Sequence, residues 1–265
     1  LLLHTIMTTT LHHSPIYGPV HSRRLGLSLG INLMPGDGKI CNFDCVYCEC
    51  GTNGQRHTVS PRPTRQDVSA ALEQTLNIML SEGKVPDVLT FAGNGEPTAH
   101  PDFAAIVDDT ISMRNRYCPN ARISVLSNAT LIGRPDVFSA LMKVDDNILK
   151  LDTVDTYYIY KVNRPQQHGF DIGNTIELMR KFNGHVIIQT IFMKGDVEGD
   201  DVDNTSEQFV APWLDAIRSI APSKVMIYTI DRDTPVKTLR KADKATLDGI
   251  CARVVAAGFE CSVAY

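Results

Sequence analysis

Long hydrophobic runs are absent from this 265-residue chain, so it lacks the stretches of about 18 apolar residues that form membrane-spanning helices. Residues 1–7 are too short for a signal peptide and carry no basic flank, and we therefore expect no secretion. The seven cysteines are an odd number, which argues against a disulfide framework. Together these features predict a globular protein of the reducing cytoplasm with no membrane partner.

Positive charge is also scarce, because 26 Lys and Arg residues face 30 Asp and Glu residues and the net charge is −4. Such a chain has no general electrostatic attraction for nucleic acid. Residues 1–66 differ from the rest, since they carry more basic than acidic side chains. The basic residues there are Arg23, Arg24, Lys39, Arg56, Arg62 and Arg65. This local excess indicates either a phosphate-binding patch or an ordinary solvated surface.

Three cysteines follow one another closely in the stretch Cys41-Asn-Phe-Asp-Cys45-Val-Tyr-Cys48. Three thiolates at this spacing can ligate three irons of a [4Fe-4S] cluster and leave the fourth iron without a ligand from the motif. An iron with an open position can bind a small molecule, as an open zinc position does. The alternative is a zinc site that adds Cys50, although zinc sites usually pair two short hairpins and no second C-x2-C is present.

Strand-like and helix-like stretches alternate after residue 60. A helix is predicted to begin at Thr64, because Asp67 follows three residues later and Val68, Leu72 and Leu76 repeat at helical spacing. Further helices are predicted over residues 102–117, 136–142, 172–182, 207–219 and 241–257, and strands over 87–92, 123–126, 148–151, 185–192, 224–230 and 259–263. This order favours parallel strands with right-handed crossovers. The predicted fold class is α/β, as a partial (β/α)6 TIM-type barrel, with a doubly wound open sheet as the alternative.

No linker or internal repeat divides the chain. Residues 14–40 are rich in Gly and Pro, and we predict that they form a lead-in segment packed onto the barrel. The expected organisation is an N-terminal extension over residues 1–15, a candidate for disorder, followed by one barrel domain over residues 16–265.

Polar residues and glycines follow the predicted strands, at the edge where a barrel carries its chemistry. The segment Gly93-Asn94-Gly95-Glu96-Pro97 follows the first of them, and its glycines let the backbone approach a ligand closely. Asn128 and Asp152 follow the next two strands, where they serve either a ligand or the cap of a helix. Lys150 faces either the interior of the barrel or its outside.

The cysteine motif and the Gly95-Glu96-Pro97 turn together resemble the radical S-adenosylmethionine (SAM) superfamily. The resemblance implies that Cys41, Cys45 and Cys48 ligate a [4Fe-4S] cluster, and that the amino and carboxylate groups of SAM chelate its open iron. It further implies that one electron from the cluster cleaves SAM to a 5′-deoxyadenosyl radical, which abstracts hydrogen from a substrate.

The resemblance also implies which residues contact SAM. The glycine-rich turn and Glu96 are expected at its amino group, and Asn128 and Asp152 near its ribose or the substrate. Tyr47 and Tyr228 are candidate adenine contacts, with simple packing as their alternative, and Gln189 is a polar residue in an apolar strand. The predicted cofactor-binding residues are therefore Tyr47, Gly93, Asn94, Gly95, Glu96, Pro97, Asn128, Asp152, Gln189 and Tyr228.

Four further segments resemble the subgroup related to tRNA 4-demethylwyosine (wyosine) synthase. They are residues 17–30, Lys150-Leu151-Asp152, Asn163-Arg164-Pro165 and residues 227–232. The resemblance covers about residues 16–240 and implies an RNA base as substrate. Two features depart from that subgroup: residues 1–40 hold no cysteines for a second cluster, and no motif identifies a lysine that forms a Schiff base with pyruvate, for which Lys39 and Lys150 are candidates.

Three interpretations of the function follow. The first is a radical SAM enzyme that modifies RNA, and the second is one that acts on a peptide or a small metabolite. The third is a non-enzymatic iron–sulfur or metal-binding module. Either enzyme would need an electron donor, and we expect a small protein of the flavodoxin or ferredoxin type.

Overall fold

The computed structural model describes residues 9–22, 26–55 and 57–265 of the chain. No helix in these ranges is long and apolar enough to cross a membrane. The strands are β1 (Ile16–Ser22), β2 (Gly26–Ile31), β3 (Val88–Phe91), β4 (Arg122–Ser127), β5 (Asp146–Lys150), β6 (Ile187–Ile191), β7 (Met193–Lys194), β8 (Asp196–Val197), β9 (Asp200–Asp201), β10 (Lys224–Tyr228), β11 (Arg240–Lys241) and β12 (Glu260–Ala264).

The helices are α1 (Arg65–Ser81), α2 (Phe103–Tyr117), α3 (Pro135–Leu141), α4 (Thr156–Tyr158), α5 (Ile172–Arg180), α6 (Glu207–Ile220) and α7 (Lys244–Ala256). A short 3-10 helix covers Pro97–Ala99, and α4 continues as a π-helical turn over Ile159–Asn163. The predicted start of α1 is confirmed, since Thr64 and Asp67 exchange hydrogen bonds in a capping box.

The predicted partial barrel is confirmed. One sheet has the order β1-β2-β3-β4-β5-β6-β10-β12, and every neighbouring pair in it is parallel except β1 with β2. Helices lie between consecutive parallel strands and pack on the outer face through a buried apolar core that includes Trp213, Phe91 and Phe103. The carboxyl ends of the six strands β2 to β6 and β10 therefore meet at one rim.

The prediction that residues 14–40 form only a lead-in segment is wrong. They supply strands β1 and β2 of the main sheet. Gly26 and Gly30 hid strand β2, since glycine disfavours strand structure. The structure explains one of them: a Cβ at Gly30 would lie 2.1 Å from the ring of Tyr17 on β1. A side chain at this position would therefore separate the two strands.

The N-terminal segment packs against the barrel where it is described. The backbone of His12 donates to the Asn94 side chain at 2.8 Å, and its ring stacks on Tyr17 at 4.3 Å. Residues 1–8 of the predicted extension lie outside the described residues.

Candidate functional site

A cleft of about 280 Å³ opens at the rim formed by the carboxyl ends of the parallel strands. All the predicted site residues line it except Asn94, Pro97 and Asp152. The three cysteines of the C-x3-C-x2-C motif thus lie with the Gly93 and Gly95 turn, Glu96, Asn128, Gln189 and Tyr228 around one space. The topology brings these residues together because they lie in the loop after β2, in the carboxyl-terminal halves of neighbouring parallel strands, or directly after those strands.

The cysteine loop is held at both ends by backbone hydrogen bonds. Ile40 donates to the carbonyl of Asn94 at 2.9 Å, and it bridges Gly95 in a short parallel pairing. Farther along, Val46 donates to the carbonyl of Val162 at 2.9 Å, within the π-helical turn after α4. The loop is therefore fixed against both β3 and the turn that follows β5.

Two lysines place positive charge beside the thiols. The ammonium of Lys39 lies 2.9 Å from the carbonyl of Gly51 and 3.3 Å from Asp44. Burial opposes the charge of Lys39, but nearby Cys48, Cys41 and Cys45, together with Asp44, outweigh it and raise its pKa. Lys150 shows the same balance of burial against Asp152, Tyr228 and the cysteines, and its pKa is raised as well.

The thiols themselves have different environments. Burial, and then Glu96, raises the pKa of Cys41 to about 12. The hydrogen bond from Cys50 lowers the pKa of Cys48 despite its burial.

In the described part of the chain, no three His, Cys, Asp or Glu side chains converge on a single-ion site. In a [4Fe-4S] cluster each thiolate ligates a different iron, and the three thiols with two flanking ammonium groups fit such a negatively charged group.

Glu96 is buried at the base of the cleft and accepts hydrogen bonds from neutral donors. Its Oε1 accepts from the Ser127 hydroxyl at 2.8 Å and from the backbone of Thr98 at 3.1 Å, while Oε2 accepts from the backbone of Asn128 at 2.7 Å. Burial raises the pKa of Glu96 in spite of these donors. A positively charged ligand group in the cleft would stabilise its ionised form.

A polar network joins two residues that line the cleft, Tyr47 and Lys150, to two that lie behind them, Asp152 and Asn163. The Lys150 ammonium lies 2.8 Å from the Tyr47 hydroxyl and 3.6 Å from Asp152, so Lys150 faces the interior. The Tyr47 hydroxyl donates to Asp152, and Asn163 donates to the same carboxylate at 2.8 Å. The Asp152 side chain is only 1% exposed, and its carboxylate is directed at these wall residues.

Asn94 and Pro97 lie beside the cleft but face away from it. The Asn94 amide donates to the carbonyls of His12 and Pro35 at 2.9 and 2.8 Å, so it fastens the N-terminal segment to the glycine-rich turn. Pro97 is buried in the 3-10 helix that follows the turn. Gln189 pairs in register with Lys150 across β5 and β6, and Tyr228 ends β10; both line the cleft.

Sequence reasoning gave Asn163 no role in the site. The one signal for it in the sequence is the Asn163-Arg164-Pro165 segment, which contributes only to the subgroup resemblance. Asn163 closes the π-helical turn next to Arg164, whose φ is +49°, and this turn brings its amide to the cysteine loop.

Comparison with known proteins identifies the family of this chain. Residues 37–208 match the profile of the Radical SAM superfamily. The chain is 28% identical to a UPF0026 protein of Helicobacter pylori over 246 residues, which cover 89% of this chain and 74% of that protein. It is 29% identical to the UPF0026 protein MJ1312 of Methanocaldococcus jannaschii, covering 84% of this chain and 66% of the relative.

Solved structures share the fold at low identity. Streptococcus suis SuiB bound to S-adenosylmethionine superposes with a TM-score of 0.62 at 15% identity, over 88% of this chain and 50% of SuiB. A radical SAM methyltransferase from Sphaerobacter thermophilus gives 0.64 at 14% identity, over 90% and 66%. TYW1 with a lysine-pyruvate adduct gives 0.55 at 12%, over 86% and 73%. The chain spans about half the length of SuiB. The matched profile covers more than half of this chain, which is therefore an enzyme of the radical SAM superfamily.

Proposed function

We propose that Cys41, Cys45 and Cys48 hold a [4Fe-4S] cluster at the mouth of the cleft and that SAM binds between this cluster and the glycine-rich turn. Both are cofactors of the superfamily to which the chain belongs. When bound, they supply a 5′-deoxyadenosyl radical that abstracts a hydrogen atom from the substrate. The observation that carries the proposal is that all three thiols share one cleft with Gly93, Gly95 and Glu96.

The side chains around the cleft would bind and orient SAM. Glu96 has an oxygen, Oε2, that accepts a single backbone donor from Asn128, so it retains capacity for the amino group of SAM. Gly93 and Gly95 line the cleft with backbone alone, so the peptide groups of the turn are available to a ligand. Tyr228 and Gln189 complete the opposite wall.

An RNA base is the first candidate substrate, from the resemblance to wyosine synthase. In that subgroup a lysine forms a Schiff base with pyruvate, and the two candidates differ in this structure. Both ammonium groups have polar partners, but the Lys39 side chain is only 2% exposed, whereas the Lys150 side chain is 21% exposed and lines the cleft. Lys150 is therefore the better candidate for that role.

A peptide or small metabolite is the second candidate, and the charges of the cleft favour it. Its basic side chains each have an acidic partner: Lys39 with Asp44 at 3.3 Å, Lys150 with Asp152 at 3.6 Å, and Arg232 with Glu49 at 2.8 Å. Phosphate contacts supply most of the affinity of a nucleic acid, and paired cations bind phosphates weakly.

As reductant we propose a flavodoxin or ferredoxin-type protein in the cytoplasm.

The central test is anaerobic reconstitution with iron and sulfide, followed by dithionite and SAM, with 5′-deoxyadenosine measured by mass spectrometry. We expect its formation in the unaltered protein and its loss in Cys45→Ala. The matched control is Cys251→Ala, a half-buried cysteine on α7 that should retain the product. Formation of 5′-deoxyadenosine in Cys45→Ala would refute the assignment of the cysteines.

A titration with bulk tRNA at two salt concentrations separates the two substrate classes. If RNA is the substrate, affinity should fall steeply between about 50 and 200 mM salt, and replacing Arg23 and Arg24 by alanine should weaken binding. The matched control is Arg218→Ala, which removes an exposed arginine on α6. Absence of binding at either salt concentration would favour the peptide or metabolite.

A further inference from the structure

Two buried side-chain amides each lie beside one sulfur of the cysteine motif. Asn128 directs its Nδ2 to the Cys41 sulfur at 3.6 Å, and Asn163 directs its Nδ2 to the Cys45 sulfur at 3.6 Å. The two come from different places, since Asn128 follows β4 and Asn163 ends the π-helical turn. Neither belongs to the loop that carries the cysteines.

The orientation of each amide follows from its other partners. The Asn128 Oδ1 accepts from the backbone and hydroxyl of Thr130 at 3.1 and 2.7 Å, so its NH₂ group must point the other way, toward Cys41. The Asn163 NH₂ group also donates to the carboxylate of Asp152 at 2.8 Å. A carboxylate only accepts, so the NH₂ group, and not the carbonyl, is on the side of Cys45.

We infer that Asn128 and Asn163 raise the reduction potential of the cluster by donating hydrogen bonds to the Cys41 and Cys45 thiolates. The inference rests on the proposed function, because it requires that these cysteines ligate the cluster. Reduction adds one negative charge to the cluster and its sulfurs, and a hydrogen-bond donor stabilises the more negative state. Both residues are positioning residues.

Burial makes these donors effective. Asn163 is 2% exposed and Asn128 is 8% exposed, so little water competes for the sulfurs that they approach. Hydrogen bonds are electrostatically stronger in such surroundings than in water. Lys39 and Lys150 also place positive charge nearby, but each has a carboxylate within 4 Å that offsets part of its effect. Each amide also donates to one carbonyl or carboxylate oxygen, Asn42 Oδ1 for Asn128 at 2.6 Å and the Asp152 carboxylate for Asn163 at 2.8 Å, and an NH₂ group has two hydrogens, so one remains for the sulfur.

The test is a potentiometric titration of the reconstituted protein with dithionite at fixed pH, followed by electron paramagnetic resonance. The variants are Asn128→Leu and Asn163→Leu, which are close in size and lack the donor. The matched control is Asn147→Leu, since Asn147 is a buried amide near the start of β5 that donates to the carbonyl of His185 at 3.1 Å. Iron content and SAM binding are measured on each protein.

We expect each of the two variants to lower the potential on the order of 59 mV, which is a tenfold change for one electron, while Asn147→Leu leaves it unchanged. If either variant fails to fold, the serine variant at the same position is used, because serine is too short to reach the sulfur. Potentials equal to that of the control variant, in proteins that retain iron and bind SAM, would overturn the inference. Failure of the unaltered protein to assemble a cluster would instead refute the proposed function, and the two failures are thus distinct.

Discussion

Glu96 is a buried carboxyl group in the cleft that we propose binds SAM. Its carboxyl group lies at the base of the cleft with only neutral donors around it, and burial raises its pKa. Such an arrangement opposes ionisation of the carboxyl group. The positively charged amino group of SAM would stabilise the ionised carboxylate. A variant of Glu96 therefore tests how SAM is oriented.

We predict that Glu96→Gln weakens SAM binding by about tenfold or more, because a charge-assisted hydrogen bond contributes roughly 1.5–3 kcal/mol. The new amide would also face the backbone N–H of Asn128, so unfolding should become easier by about 1–3 kcal/mol. Equilibrium dialysis with the reconstituted protein and urea unfolding measure the two effects. The control is Glu82→Gln at the exposed end of α1, and unchanged affinity in Glu96→Gln would place the amino group elsewhere.

Cys50 distinguishes the cluster from the zinc site that the sequence also allowed. Its thiol donates to the carbonyl of Gly93 at 3.3 Å. We predict that Cys50→Ala retains the iron content of the unaltered protein, whereas Cys48→Ala loses it. Metal analysis after reconstitution checks this, with Cys50→Ser as the variant that keeps a donor. Zinc bound by the unaltered protein and lost in Cys50→Ala would support the zinc site instead.

Single residues also show how far the sequence could predict this site. The sequence could predict the three cysteines and the Gly95-Glu96-Pro97 turn as site residues, because each motif consists of characteristic residue types within a few positions of one another. Asn163 was missed because it is 118 positions from the sulfur that it contacts. The sequence allowed Lys150 to face either the interior or the outside of the barrel. Its contact with Tyr47, 103 positions away, shows that it faces the interior.

At the scale of elements, the cysteine loop depends on the turn after β3. A Cβ at Gly95 would lie 1.8 Å from the carbonyl oxygen of Ile40, and the φ of Gly95 is +149°. The pairing of Ile40 with Gly95 is thus possible only with glycine. This contact sets the position of Cys41, the next residue in the chain.

We predict that Gly95→Ala displaces the cysteine loop, so that reconstitution yields less iron and SAM binding is lost. The matched control is Gly199→Ala in the turn between β8 and β9, where φ is +86° and a Cβ would meet nothing within 4 Å. Both variants carry strain from a positive φ, but only the first has the collision. Iron content measured side by side distinguishes them, and equal iron in the two variants would contradict the role of the pairing.

The secondary-structure elements also show which parts of the fold the sequence could predict and which it could not. Six helices, all but the short α4, and six of the twelve strands in the described residues were predicted, because apolar residues repeat at their period and caps mark helix ends, as at Thr64. β2 was missed because its glycines serve contacts with β1 that lie outside any local pattern. The π-helical turn at Ile159–Asn163 was missed for a similar reason, since it is held by the cysteine loop.

At the scale of the whole molecule, the cleft joins segments from most of the chain. Residues between Lys39 and Thr234 line it, and they come from the cysteine loop and from the ends of β3, β4, β5, β6 and β10. A ligand that contacts all these segments would bind only the folded barrel. Binding to the folded state alone stabilises a protein by about 2.7 kcal/mol when the ligand is present at 100 times its Kd.

We predict that SAM at this concentration raises the apparent melting temperature of the reconstituted protein by roughly 5–10 °C, since 1 kcal/mol shifts a domain of similar size by about 2–4 °C. In Cys45→Ala the rise should be smaller at the same SAM concentration, because the open iron that would hold the amino and carboxylate groups is missing. Anaerobic differential scanning fluorimetry measures both. The same rise in Cys45→Ala would mean that SAM binds the barrel independently of the cluster, and the coupling of the cysteine loop to the rest of the cleft would have to be abandoned.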